Sequence, residues 1–94
     1  MNKQEHLLTI VSEECAEVHQ RCSKAARFGM SEVQPEQDLS NKDRILLEFN
    51  DLIAAMELLF DCKITDLISE DKLNAKKKKI EKYLFYSLEC GTVQ

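Results

Sequence analysis

Residues 41–61, NKDRILLEFNDLIAAMELLFD, form a segment with helical spacing that is apolar almost all the way round. Ile45, Leu46, Leu47, Phe49 and most of 52–60 are apolar, and Asp43, Asn50, Glu57 and Asp61 make the one coherent polar stripe. Such a helix is buried on most sides. One further helix cannot cover it, and a chain of 94 residues has few others to offer, so the pattern points to oligomerisation. Glu48 and Asp51 break the pattern. At about 100° per residue they fall nearly opposite the stripe, among Leu52, Ala55 and Leu59.

A second segment repeats the anomaly. Residues 3–28 place Leu7, Leu8, Ile10, Val11, Cys15, Val18, Cys22, Ala25 and Ala26 at helical spacing. Glu14 falls inside that apolar arc, between Ile10 and Val18, and Glu17 falls at its edge. Glu13 lies further out, i,i+4 to Glu17. Each helix therefore carries an acid pair at i,i+3, the spacing at which side chains are neighbours. An unpaired buried carboxylate is costly, and four converging ones repel each other. A cation between them resolves both problems. Mg²⁺, with Mn²⁺ as the alternative, takes oxygen ligands and keeps waters that substrate phosphates can replace. Two antiparallel helices each offering such a pair make a metal site in a bundle core. The competing reading leaves the acids solvated or lysine-paired, the usual state of a single ExxE. Two pairs on the apolar sides of two helices weigh against it.

The rest of the chain organises around these helices. Gly29 is a natural stop for the first, and residues 30–40, with the sole proline Pro35, read as a loop. Ser40 or Asn41 suits the cap of the second helix. After a link near 62–65, a third stretch covers about 66–88, with a break near 69–70. Leu73, Ile80 and Leu84 mark its expected inner face, and Gly91 falls in an expected frayed tail. The fold class is all-α: an antiparallel helical bundle, one domain over 1–94, completed by oligomerisation into a homodimer or homotetramer.

Charge narrows the partners. The net charge of −4 argues against polymeric nucleic acid. Residues 1–71 carry 7 basic and 15 acidic side chains, and residues 72–94 carry 6 basic and 2 acidic. An acidic body holding a cation and a basic tail holding a phosphate suit one site; mutual attraction of the two halves is the plainer account. Cys15, Cys22, Cys62 and Cys90 form no CxxC pair. With neither secretory signal nor membrane-length apolar run, the expectation is a cytoplasmic protein with reduced thiols and no membrane contact. Cys15, His19 and Cys22 share a helical face, but three local ligands fall short of a structural zinc site. His6 and His19 have no nucleophile partner of the triad kind.

Glu13-Glu14-Cys15-Ala16-Glu17 followed by Glu48-Phe49-Asn50-Asp51 resembles the EExxE…ExxD signature of the MazG-like all-α nucleoside triphosphate pyrophosphohydrolases. Ser23-Lys24-Ala25-Ala26-Arg27-Phe28-Gly29, and the stretch from Lys76 to Ser87 with its Tyr-Leu-Phe-Tyr-Ser, look like the versions in short phage-type members; the likeness spans about residues 5–88. The resemblance implies that Glu14, Glu17, Glu48 and Asp51 bind Mg²⁺. It implies attack of water between the α and β phosphates of a nucleotide substrate, releasing a monophosphate and pyrophosphate, with Glu13 orienting the water or standing as an exposed partner of Glu17. Lys24, Lys76, Lys79 and Tyr83 become candidates for the nucleotide, as does the more peripheral Arg27. Arg21 reads as a salt-bridge partner of Glu17. Asn41 or Asn50 is a candidate for base or sugar contact, and Phe28 or Tyr86 for stacking. Two alternatives stand beside this reading: a non-catalytic helical module binding a nucleotide or partner, and an enzyme like the phosphoribosyl-ATP pyrophosphohydrolases.

Overall fold

A computed structural model describes all residues from Met1 to Gln94. The chain is all-helical: α1 (Lys3–Phe28), α2 (Asn41–Phe60), α3 (Ile64–Leu67) and α4 (Glu70–Cys90). Two compact units divide it, Met1–Cys62 and Lys63–Gln94.

In the first unit, α1 has the bounds its spacing predicts. Asn2 caps it reciprocally: the Glu5 amide donates to Asn2 Oδ1 at 2.8 Å, and the Asn2 amide donates to Glu5 Oε2 at 3.3 Å. Gly29 ends it at φ 99°, its amide donating to the Ala25 carbonyl; that backbone conformation suits a residue without Cβ. The chain then turns back, and α2 runs along α1. Asn41 meets Gly29, Glu14 meets Glu48 and Asp51, and Leu7 shares a depression with Leu58 and Leu59. Ala25 and Ala55 are the buried apolar residues between the two helices. Leu7, Ile10, Val18, Ile45, Leu52 and Leu59 are half-buried around them. At about 1.5–3 kcal/mol for full burial of each large side chain, half-burial leaves much of the apolar stabilisation of this unit unrealised.

The 29–40 connection is more ordered than a plain loop. Val33 and Ser40 form an isolated antiparallel bridge, and the Lys42 amide donates to the Met30 carbonyl at 2.9 Å. Ser40, rather than Asn41, caps α2: its hydroxyl accepts from the Asp43 amide at 3.2 Å. Asn41 is 1% exposed and donates through Nδ2 to the Gly29 carbonyl at 2.8 Å and to Glu32 Oε1 at 2.9 Å. That burial removes Asn41 from the candidates for base contact and makes it the lock of the connection. Asn41→Ala strands two acceptors and is expected to cost about 2 kcal/mol, read as a lower urea midpoint; an unchanged midpoint would contradict this role.

The second unit breaks at 68–69, next to the expected 69–70. Ile68 is extended, at φ −88° and ψ 151°, and separates the one-turn α3 from α4. Ser69 caps α4 by accepting from the Lys72 amide at 3.3 Å. Gly91 is no frayed end. It is left-handed, its amide donates to Leu88, and the Thr92 amide donates to the Ser87 carbonyl at 3.1 Å, the paired bonds of a Schellman end. No residue of α3 or α4 is buried. Leu73, Ile80 and Leu84, expected on an inner face, are exposed, since within this unit a four-residue helix cannot cover a helix of 21 residues. No helix is long and apolar enough to cross a membrane.

Candidate metal centre

The sequence brings the misplaced acids to one point. Glu14 occupies the inner face of α1 between Ile10 and Val18, and Glu48 that of α2 near Leu52 and Ala55; both are half-buried. Asp51, one turn after Glu48, stands at the exposed edge of the same contact. One carboxylate oxygen from each of Glu14, Glu48 and Asp51 lies within 4.8 Å of the others.

The Glu14 carboxyl is raised above its ordinary pKa. Desolvation between the helices is the largest cause, followed by the negative charges of Asp51, Glu48, Glu17 and Glu13. The cluster thus disfavours its own full ionisation and favours a bound positive charge. Three oxygen donors with an excess of negative charge, two of them partly desolvated, suit a hard divalent cation. Three of the four expected ligands converge. The fourth, Glu17, is exposed and stands outside the trio, though close enough for its charge to be felt by Glu14. Its position at the edge of the apolar arc accounts for that.

The other candidates are spread more widely. Glu13 is exposed and Lys24 half-buried. At about 100° per residue, Glu13, Glu17 and Lys24 turn toward the flank on which Asp51 stands. Arg27 is exposed and lies 5.0 Å from the Phe28 ring centroid. Arg21 points along the inner face, half-buried, with Nε lacking a hydrogen-bond partner, which departs from its expected pairing with Glu17. Lys76, Lys79 and Tyr83 belong to the second unit, on one flank of α4, all exposed. Cys15, His19 and Cys22 are exposed along α1 and do not converge as a metal cluster; all four cysteines are free. The acid pattern did not single out Arg44, one heptad before Asp51 and half-buried, whose Nη1 donates to Gln37 Oε1 at 2.9 Å; the heptad spacing was the available signal. An open depression of about 410 Å³ lined by Lys3, Gln4, Leu7, Leu58, Leu59 and Asp61 lies at the other end of the helix pair and does not include the acids.

A scan against protein-family models, a search of curated proteins and a search of solved structures each returned no match.

Proposed function

We propose that this chain is a cytoplasmic, Mg²⁺-dependent nucleotide pyrophosphohydrolase of the MazG-like kind, an antiparallel helical bundle completed by further copies of itself. The observation that carries the reading is the meeting of Glu14, Glu48 and Asp51, drawn from two helices that are otherwise apolar at those positions. The resemblance of the acidic signature to that family supplies the reaction.

Glu14, Glu48 and Asp51 would hold the cation, and Glu17 at the rim adds a fourth negative charge. A bound Mg²⁺ supplies charge neutralisation for phosphate oxygens and lowers the pKa of a water. Lys24 provides positive charge for the phosphate chain beside the acids. Glu13 orients the attacking water. In the reaction a bond forms from the water oxygen to the α phosphorus. The bond from that phosphorus to the α–β bridging oxygen breaks, pyrophosphate leaves, and the water's proton passes to an acid at the rim.

A Mg²⁺-supplemented panel of canonical and modified nucleotides, with pyrophosphate and orthophosphate detected separately, tests this. The expected products are a nucleoside monophosphate and pyrophosphate in equal amounts. Orthophosphate alone would refute the bond assignment. Calorimetric nucleotide binding without turnover across the panel would replace the enzyme with the non-catalytic module.

A further inference from the structure

Polarity changes along the α1–α2 pair on either side of the acids. Toward the C-terminal end of α1 the side chains are cationic. Arg21 and Lys24 follow Glu14 by seven and ten residues, and Arg44 precedes Asp51 by seven. All three are half-buried, and Arg21 Nε is buried with no hydrogen-bond partner. Toward the N-terminal end of α1 the surface turns apolar. Leu7 lies seven residues before Glu14, and Leu58 seven after Asp51. Seven residues are nearly two full turns, so each leucine stands close to the angular position of its acid, roughly 10 Å further along the axis. Leu7, Leu58 and Leu59 supply the apolar lining of the open depression of about 410 Å³, and Lys3, Gln4 and Asp61 the polar lining.

We infer that this depression is the subsite for the nucleoside of the substrate, with the pyrophosphate end directed the opposite way, toward Arg21, Lys24 and Arg44. The inference rests on the pyrophosphohydrolase reading above and adds which way the substrate lies. Cleavage between the α and β phosphates puts the acid trio at the junction of two unlike halves. The β and γ phosphates carry most of the negative charge, and charge-assisted hydrogen bonds from arginine and lysine suit them. The sugar and base are uncharged, and the base has broad faces that gain by leaving water for an apolar wall. The reverse placement would set the β and γ phosphates against three leucines and the Asp61 carboxylate, with Lys3 alone to meet them. Size and lining agree with the assignment. Sites for small molecules are clefts of about 300–1,000 Å³, mostly apolar, with a few polar groups that fix orientation. The Gln4 amide offers a donor and an acceptor, Asp61 accepts from an exocyclic amino group, and Lys3 donates to a ring nitrogen or carbonyl, the pairings by which base edges are read. The interval between acids and depression is the place of the sugar.

The test uses the full chain with Mg²⁺. An α,β-methylene nucleoside triphosphate, which resists cleavage, is expected to shift the methyl NMR signals of Leu7, Leu58 and Leu59. Tripolyphosphate, which has no nucleoside, is expected to leave those signals in place. This readout needs no variant to fold. The double variant Gln4→Ala/Leu58→Ser is then compared on two substrates: the best nucleotide of the panel, and methyl triphosphate, which offers the same phosphate chain without a nucleoside. Its kcat/KM is expected to fall at least about tenfold more on the nucleotide than on methyl triphosphate. Gln4 is exposed and Leu58 is 66% exposed, so neither supports the core. Lys24→Ala is expected to weaken both substrates alike. A wild type that cleaves no nucleotide overturns the pyrophosphohydrolase reading and this inference with it. Turnover in the wild type with the three leucine signals unmoved by the analogue, or with equal losses on the two substrates in the double variant, overturns the subsite alone.

Discussion

Glu48→Gln or Asp51→Asn is expected to lower Mg²⁺-dependent pyrophosphate release at least about 100-fold, equivalent to ~2.7 kcal/mol of barrier, while circular dichroism keeps the wild-type helix content. Both changes preserve size and shape, and Gln has nearly the helix propensity of Glu. What disappears is one negative charge from a trio whose oxygens lie within 4.8 Å of each other. An amide binds a divalent cation more weakly than a carboxylate, and the remaining acids repel each other less. The variants should therefore lose activity and yet gain thermal stability in EDTA. That combination separates a ligand from a structural residue: if Glu48 and Asp51 only supported the fold, activity and stability would fall together. Full turnover in both variants would remove the metal centre from the mechanism.

Mg²⁺ is expected to raise the melting temperature at neutral pH by on the order of 10 °C at 100 times its dissociation constant. Binding only to the folded state stabilises by about 2.7 kcal/mol at that concentration, and each kcal/mol moves a domain of this size by roughly 4–8 °C. The pH dependence follows from Glu14. Its carboxyl is raised in the folded chain, by desolvation first and then by Asp51, Glu48, Glu17 and Glu13. Folding therefore favours its protonated form. That contribution is fully present below the unfolded value of about 4.3 and is lost as pH rises through the raised folded value. At neutral pH the metal-free protein lacks it, and a bound cation would compensate. As pH falls through the acid range, protons displace the cation, and the Mg²⁺ increment should shrink toward zero. Glu14→Gln should abolish the increment at all pH values and stabilise the metal-free protein at neutral pH. Differential scanning calorimetry with Mg²⁺ or EDTA reads both; an increment that persists unchanged in Glu14→Gln would place the cation elsewhere.

The amino-acid sequence alone determined the helices and the anomaly within them. The spacing of Leu7 to Ala25 set α1, and Gly29 and Ser40 punctuate the chain as local backbone chemistry requires. The acids at 14, 48 and 51 were legible because charge on an apolar arc violates a pattern that burial imposes. Local rules did not reach further. Whether Asn41 caps a helix or locks a connection depends on a carbonyl twelve residues earlier, at Gly29. Whether Glu17 joins the trio depends on where α2 lies against α1, since a side chain at the edge of an arc turns inward or outward with a small rotation of the pair. The Schellman end at Gly91 turns on a single backbone angle that apolar spacing does not encode. Tertiary structure decided which acids share one point in space and which face of the pair is left apolar, because both depend on the packing of two helices against each other rather than on either helix alone.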